Sequence, residues 1–368
     1  MFAKPFLLIS FFLLQFSAVH AQAAFVHPGI PLTSSDLATL KAHVQAGDYP
    51  WKQAYDQLAA DGHSSLSYSM QGPFAAVSRN PNINLNQWRN DMVAIWNLSL
   101  MWYFTNNEAY AAKSRDILLA WANTQTQFSG VEANLDLGDY AYAWGGGASI
   151  LRGTWTGWTA ANTATVKSFF NTLYWPASGC HIIGLGPGNK GALSIAAGAA
   201  IAAFSDDQAK IDRIVYLFRY SGSAGFPNTL PNGQIGESGR DQGHANGTIL
   251  SYAFAAEVLW KQGIDLFSAF DNRLLAAGEY FSRKNAGVPQ KYITYGTTDA
   301  LYWTDQTQVW DGGRMTFMIL NGAYGVRKGM QLPYVNKRLF SGSRIGSTDT
   351  WFYKTSDNST ASVPPDTI

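Results

Sequence analysis

The chain has 368 residues, of which 46% are hydrophobic and only 14% are charged, and its formal net charge is +1. A nearly neutral chain gives no electrostatic reason to expect a nucleic-acid partner. Its single cysteine, Cys180, excludes an intrachain disulfide framework, and we predict that it is a small buried residue.

The N-terminus has the pattern of a secretory signal peptide. Lys4 precedes an apolar run over residues 6–14, and small residues follow at Ala21 and Ala23. The run is too short to cross a bilayer, and no later run of about 20 apolar residues follows it. We predict a signal peptide over residues 1–21, with cleavage after residue 21 or 23. The mature protein is expected to be secreted (extracellular, or periplasmic in a bacterium), with no membrane partner.

Helical periodicity dominates the chain after this segment. Residues 88–104 place apolar side chains on one face, and residues 109–121 do the same after a short polar turn. Thr105 and Asn106 in that turn are suited to cap the second helix. The pair therefore predicts an antiparallel helical hairpin. Further helices are predicted over residues 160–174, 192–204, 208–219, 248–262, 265–284 and 315–325.

The connections between these helices are rich in glycine, proline and asparagine, and neither strand patterns nor a sequence repeat interrupts them. Successive helical hairpins favour an all-α fold, an incomplete (α/α) toroid or barrel whose concave end collects the loops. We predict one domain over residues 22–368, with an irregular C-terminal segment from about residue 333.

Residues 237–244, Glu-Ser-Gly-Arg-Asp-Gln-Gly-His, are the densest polar cluster in this weakly charged chain. They directly precede an apolar helical run, so they are predicted at a helix N-terminus, where anions are favoured. The alternative is a structural cluster whose caps and ion pairs merely anchor the helix. Aromatic residues, 14% of the chain, suit either sugar stacking or ordinary core packing.

Several segments occur in the same order as in a known group and together resemble the alginate lyase superfamily. They are residues 25–30, the hairpin over 91–121, Asn189, residues 237–244 and residues 263–275. The resemblance extends over roughly residues 25 to 330. The motif at 237–244 is similar to that of the branch containing glucuronan and related polyuronate lyases.

The resemblance implies a toroidal polysaccharide lyase that cleaves a uronate-containing polymer, glucuronan or alginate-like, by β-elimination. The products carry 4,5-unsaturated uronate ends. Such a reaction needs a group that neutralises the substrate carboxylate, a base for the C5 proton and an acid for the leaving O4. The resemblance implies an acidic polysaccharide as partner and no cofactor or metal, and the six histidines are scattered along the sequence.

The resemblance also implies catalytic residues. Asn189 matches the family's carboxylate-contacting asparagine, and His244 matches its catalytic histidine. Arg240 can pair with the substrate carboxylate, or with Glu237 or Asp241 to hold the loop. For the catalytic tyrosine, Tyr295 is the first choice and Tyr292 the second, with Tyr302 nearby.

Other residues are predicted to contact substrate. Arg314 matches an arginine that the family follows with tyrosine seven positions later, but here Asn321 stands at that position and Tyr324 at the tenth. Trp88 is a candidate for stacking on a sugar, although its neighbours Asn90 and Asp91 can simply cap a helix. The predicted substrate-binding set is Arg314, Gln242, Glu237, Trp88, Tyr292 and Tyr324.

Two other functions compete with the lyase interpretation. An inverting glycoside hydrolase would use Glu237 and Asp241 as its carboxylate pair, about 6.5–9.5 Å apart across a cleft. A glycan-binding protein without catalysis is the second. Independently of function, Asn97, Asn246 and Asn358 lie in Asn-x-Ser/Thr sequons and are predicted N-glycan acceptors if the host is eukaryotic.

Overall fold

The computed structural model describes residues 24–182, 185–294, 312–339 and 348–361. Within these ranges the chain is predominantly helical, which confirms the predicted all-α class. The strands named there are β1 (Ala76–Ser78) and β2 (Gln127–Ser129), which pair in parallel. None of the described helices has the length and apolar character needed to cross a membrane.

Helices in the first half of the chain include those that the periodicity predicts over residues 88–121 and 160–174, together with others that it missed. They are α1 (Ser34–Ala46), α2 (Trp51–Ala60), α3 (Leu85–Thr105), α4 (Glu108–Thr124), α5 (Ala133–Asp139), α6 (Ala141–Thr154), α7 (Ala160–Phe169) and α8 (Trp175–Ser178).

The second half supplies the helices that carry the candidate site. They are α9 (Asn189–Ser205), α10 (Gln208–Tyr220), α11 (Gln242–Lys261), α12 (Ala269–Asn285), α13 (Arg314–Leu320) and α14 (Pro333–Leu339). The last of these corrects the expectation of irregular structure from residue 333.

The α3–α4 hairpin is confirmed, but the helix cap lies one residue beyond the predicted pair. Asn107 is the N-cap of α4, and its side chain accepts a hydrogen bond from the backbone N–H of Ala109 at 3.1 Å. Asn106 instead ends α3 in the left-handed conformation, with φ of 58°. The turn therefore uses one asparagine to stop a helix and the next to start another.

Helix α9 lies at the centre of the second half. Its alanine-rich sequence lets it pack against α5, α10 and α11, and Lys190 is its only residue that is not buried. Cys180 is buried against it as predicted, with its Sγ atom 3.0 Å from the Ser194 carbonyl. Burial raises the pKa of the Cys180 thiol to about 12, so the thiol stays protonated at neutral pH.

Two of the three predicted glycan acceptors are buried. Asn97 lies within α3 and Asn246 within α11, and the Asn246 side chain accepts a hydrogen bond from the Thr316 hydroxyl at 2.9 Å. Both side chains are thus turned into the folded chain, and glycan attachment at either position stays a prediction. Asn358 is exposed.

Candidate active site

The candidate site lies where the N-termini of α9 and α11 meet. The backbone N–H of Asn189, the first residue of α9, donates to Glu237 Oε1 at 3.2 Å. Asp241 is the N-cap of α11, and its Oδ1 accepts from the backbone N–H of His244 at 3.0 Å. One loop, residues 237–241, thus supplies a carboxylate to each helix N-terminus. Two partial positive charges converge there, which is the setting that favours a bound anion.

Gly188 makes the close approach of Glu237 possible. Its φ is +58°, and a Cβ atom there would lie 2.0 Å from Glu237 Oε1. A side chain would be strained by the backbone conformation and would displace the carboxylate. Gly188, in the glycine-rich connection before α9, is therefore required for the Glu237 carboxylate to reach the N-terminus of that helix.

Asn189 offers an unused hydrogen-bonding group. Its side chain is nearly buried, at 6% exposure, and its Oδ1 has no hydrogen-bond partner among the described residues. Buried polar groups are normally paired because leaving one unpaired costs free energy. The amide can turn to present either its oxygen or its NH₂ group, so it is suited to meet a ligand such as a carboxylate.

His244 is held in a fixed orientation by Asp241. Its Nδ1 lies 2.5 Å from Asp241 Oδ2, and 39% of the side chain is exposed. Burial on its own would raise the pKa of Asp241, but hydrogen bonds from His244 and the charges of His244 and Arg240 outweigh it and lower that pKa. Asp241 therefore stays ionised at neutral pH and directs Nε2 of His244 away from itself.

Helix α11 exposes one face beside this histidine. Its incompletely buried residues are Gly243, His244, Gly247 and Leu250, which recur at helical spacing. A Cβ atom at Gly247 would meet nothing within 4 Å. Within the part of the chain that the structure describes, no side chain covers Gly247, one turn beyond His244.

Arg240 lies between two carboxylates of its own loop. Its Nη1 is 3.6 Å from Glu237 Oε2 and its Nε is 3.8 Å from Asp241 Oδ2. Glu237 is buried and already engaged by the Asn189 N–H. Because the two carboxylates flank one guanidinium, they do not face each other across a cleft as an inverting hydrolase requires.

A cluster of charges next to Asn189 was not predicted from the sequence. Lys190 Nζ lies 2.5 Å from Glu132 Oε1, and Arg79 Nη1 lies 3.2 Å from Glu132 Oε2. Arg79 also approaches Asp136 at 3.1 Å, and Arg89 pairs with Asp136 at 2.5 Å. The hydrogen bond from Lys190 is the main cause of the lowered pKa of Glu132, and the charge of Arg240 contributes. We call Arg79, Arg89, Lys190, Glu132 and Asp136 the charged cluster.

Trp88 and Tyr324 were predicted to contact substrate, and both predictions are wrong. Trp88 is fully buried, and its indole N–H donates to the Tyr174 hydroxyl at 2.8 Å. Tyr324 is fully buried, with its hydroxyl donating to the Phe267 carbonyl at 2.7 Å. Each is an aromatic core residue whose polar atom has found an internal partner.

Arg314 and Gln242 are also buried rather than displayed in a cleft. Arg314 donates from Nη1 to the Arg338 carbonyl at 2.9 Å. Gln242 Oε1 accepts from Asn285 Nδ2 at 3.0 Å. These contacts correct the prediction that the two side chains bind sugar, since both hold the protein together.

Tyr292, the second choice for the catalytic tyrosine, lies on a segment that is anchored near the loop of residues 237–241. Tyr292 is partly exposed, and the peptide of its neighbour Ile293 makes two hydrogen bonds with the buried side chain of Gln234. Gln234 stands three residues before Glu237, so this segment runs close to the loop. Tyr295 and Tyr302 lie outside the described residues.

The family model for alginate lyase matches residues 41–290. The chain belongs to the alginate lyase family. It is accordingly a polysaccharide lyase, which excludes the alternative of a glycan-binding protein without catalysis. No curated protein matches the chain.

Solved structures of alginate lyases share the fold of this family member. The enzyme from Bacteroides ovatus has a TM-score of 0.67 at 14% identity, over 90% of this chain and 100% of that chain. Alginate lyase A1-III from Sphingomonas species A1 has a TM-score of 0.56 at 16% identity, over 87% and 95%. A histidine-to-alanine form of A1-III complexed with tetrasaccharide has a TM-score of 0.59 at 15% identity, over 88% and 95%. The predicted (α/α) toroid is confirmed.

Proposed function

We propose that this lyase cleaves a polyuronate, either alginate or glucuronan, by β-elimination at the N-termini of α9 and α11. The observation that carries the proposal is the buried Oδ1 atom of Asn189, which has no hydrogen-bond partner among the described residues and lies beside the segment that bears Arg240 and His244. A uronate is the sugar whose carboxylate matches such a site.

Charge neutralisation is the first requirement of the proposed reaction. Removing the C5 proton places negative charge on carbon, and that charge spreads onto the adjacent carboxylate. The Asn189 amide, the N-terminus of α9 and the Arg240 guanidinium are the groups proposed to stabilise it. The electron pair then forms the C4–C5 double bond, and the bond from C4 to O4 breaks.

Proton transfer is assigned to His244 and a tyrosine. His244 Nε2 can face a sugar because Asp241 holds Nδ1. Tyr295 is the proposed base for C5 and acid for O4, or shares these steps with His244, and Tyr292 is the alternative. Forms of A1-III with a histidine replaced by alanine, or a tyrosine by phenylalanine, are each complexed with tetrasaccharide, which supports this pairing of residue types. We also propose that residues 1–21 direct export.

The test is ultraviolet absorbance while the purified protein meets polyglucuronate, polymannuronate, polyguluronate and a neutral glucan. Only elimination produces the conjugated alkene, whereas hydrolysis produces new reducing ends without it. We expect absorbance to rise on one of the polyuronates and to stay flat on the glucan. New reducing ends without absorbance would contradict the proposal, as would inactivity of the folded protein on all three polyuronates.

A further inference from the structure

The charged cluster differs from the buried ion pairs elsewhere in the protein because it is open to solvent on one side. The side chains of Arg79, Glu132 and Lys190 are 31%, 31% and 37% exposed. Asp136, in contrast, is only 2% exposed and forms ion pairs with Arg79 and Arg89 on the buried side of the cluster. Partly exposed ion pairs contribute little to stability. Glu132 can therefore leave its cations at small cost, whereas Asp136 cannot.

Lys190 is placed for contact with a ligand by the helix that carries it. It is the one residue of α9 that is not buried, and it directly follows Asn189. The Asn134 side chain donates to the Lys190 carbonyl at 2.9 Å, which ties the first turn of α9 to α5. The backbone at Lys190 is thus fixed while its ammonium group reaches solvent at Glu132.

Glu132 is held in this position by an unusual backbone. Its φ is +59°, a backbone conformation that residues other than glycine rarely adopt. Glu132 lies in the turn between β2 and α5. Such a conformation persists only where the surroundings impose it, and it is enriched at functional sites. The small free energy of a solvated ion pair would not by itself offset the cost of this backbone conformation.

We propose that Glu132 is a specificity-determining residue that occupies, in the free enzyme, the place of a uronate carboxylate between Arg79 and Lys190. A second carboxylate of the polymer displaces it and takes over both cations. This inference rests on the proposed function, because it assumes a polyuronate bound at Asn189. The cluster then rejects neutral glycans, since they cannot replace the carboxylate that holds the two cations.

The charge balance of the site makes the role of Glu132 measurable. The four cations Arg79, Arg89, Lys190 and Arg240 lie within ion-pair distance of the carboxylates of Glu132, Asp136, Glu237 and Asp241, and Asp139 interacts electrostatically with Arg79 and Arg89. Removing the charge of Glu132 alone makes the site more positive by one unit charge. A polyanion should then bind more tightly, and its affinity should fall more steeply as the salt concentration rises.

The experiment compares Glu132→Gln with Glu108→Gln on the polyuronate that the wild-type protein cleaves. Glu108 is exposed and lies past the far end of α3, a helix of 21 residues that spans about 30 Å, so it offers the same charge change away from the site. We expect Glu132→Gln to lower KM about three- to tenfold at low salt, with kcat little changed. Glu108→Gln should leave KM unchanged. The gain in Glu132→Gln should shrink as salt is added.

An unchanged or raised KM in a folded Glu132→Gln protein would overturn the inference. Should that variant not fold, Lys190→Gln provides the second test. The inference predicts at least a threefold rise in its KM, and no rise would overturn it. Calorimetry can also compare binding of the uncleaved polyuronate to His244→Ala and to the double variant that adds Glu132→Gln. The ratio of the two Kd values must equal the ratio of the KM values of the wild-type protein and Glu132→Gln. Failure of the proposed function looks different, because the wild-type protein itself would then show no elimination on any polyuronate.

Discussion

The backbone N–H of Asn189 donates a hydrogen bond to the Glu237 carboxylate, 48 positions further along the chain, at 3.2 Å. This single contact joins the start of α9 to the loop that starts α11. It brings the Asn189 amide, Arg240 and His244 into one site. Glu237 is thus a structural carboxylate that builds the site, and its negative charge is offset by Arg240 and the positive end of α9.

Replacing Asn189 by alanine should remove activity while leaving stability almost unchanged. The side-chain oxygen has no internal partner among the described residues, so its loss breaks no hydrogen bond that holds the fold. If the amide stabilises the developing charge, kcat should fall about 100- to 1,000-fold. Steady-state absorbance kinetics and thermal unfolding measure the two effects. An active Asn189→Ala protein would exclude this role.

Gly188→Ala should disturb the same site through the backbone. The positive φ and the 2.0 Å approach to Glu237 Oε1 leave no space for a methyl group. We expect a loss of about 1–3 kcal/mol of unfolding free energy, together with a fall in kcat. The matched control is Gly222→Ala, since a Cβ atom there meets nothing within 4 Å. Equal unfolding midpoints in urea for the two variants would contradict the prediction.

Substitutions of Asp241 can separate its charge from its role as a helix cap. Asparagine caps helices about as well as aspartate, so Asp241→Asn should keep the stability of α11. It should still lower kcat/KM at least about tenfold, because the charged partner of His244 Nδ1 is lost. Asp241→Ala should lose about 1 kcal/mol of stability as well. A fully active Asp241→Asn enzyme would show that His244 needs no anionic partner.

A buried ion network ties the C-terminal segment to the helices. Glu257 on α11 approaches Lys261, Arg327 and Lys354 at 3.1, 2.9 and 3.3 Å. Burial alone would raise the pKa of Glu257, but these three charges outweigh it and hold that pKa well below its usual value. Glu257→Gln should therefore cost about 1–3 kcal/mol of unfolding free energy, because Lys261, Arg327 and Lys354 each lose one buried partner while Asp36 and Asp357 still pair with them.

The same network sets an acid limit on stability. A carboxylate whose folded-state pKa is depressed stabilises the fold above its unfolded-state pKa, and this contribution is lost as pH falls. The unfolding free energy should thus decline as pH drops below about 4.5, and Glu257→Gln should show a shallower decline. Chemical denaturation from pH 7 to pH 3 measures both slopes. Parallel curves for the two proteins would exclude Glu257 as a source of the acid sensitivity.

The helices of the second half and the motif loop were predictable because they depend on local patterns. Apolar periodicity predicts α10 and α11, and the position of residues 237–244 before an apolar run predicts a helix N-terminus. Trp88, Arg314 and Tyr324 could not be placed in this way. Whether a large side chain on a helix faces a cleft or the core depends on its neighbours in space, and here Tyr174, Arg338 and Phe267 supply those partners.

The charged cluster was missed for a related reason. Glu132 and Lys190 are 58 positions apart, and only the packing of α5 against α9 brings them together. A signal was present at Lys190, since it is the only charged residue of an alanine-rich helix that begins at Asn189. A lysine at the start of an otherwise buried helix, next to a candidate site residue, indicates a role in binding.

The most direct test of the account is the ultraviolet progress curve of His244→Ala on the polyuronate that the wild-type protein cleaves. His244 is partly exposed, and its loss removes one ring contact to Asp241 without opening the core. We expect a folded protein that binds the polymer and produces the alkene at least about 100-fold more slowly. An unchanged rate of alkene formation would contradict the assignment of catalysis to the site at Asn189, Arg240 and His244.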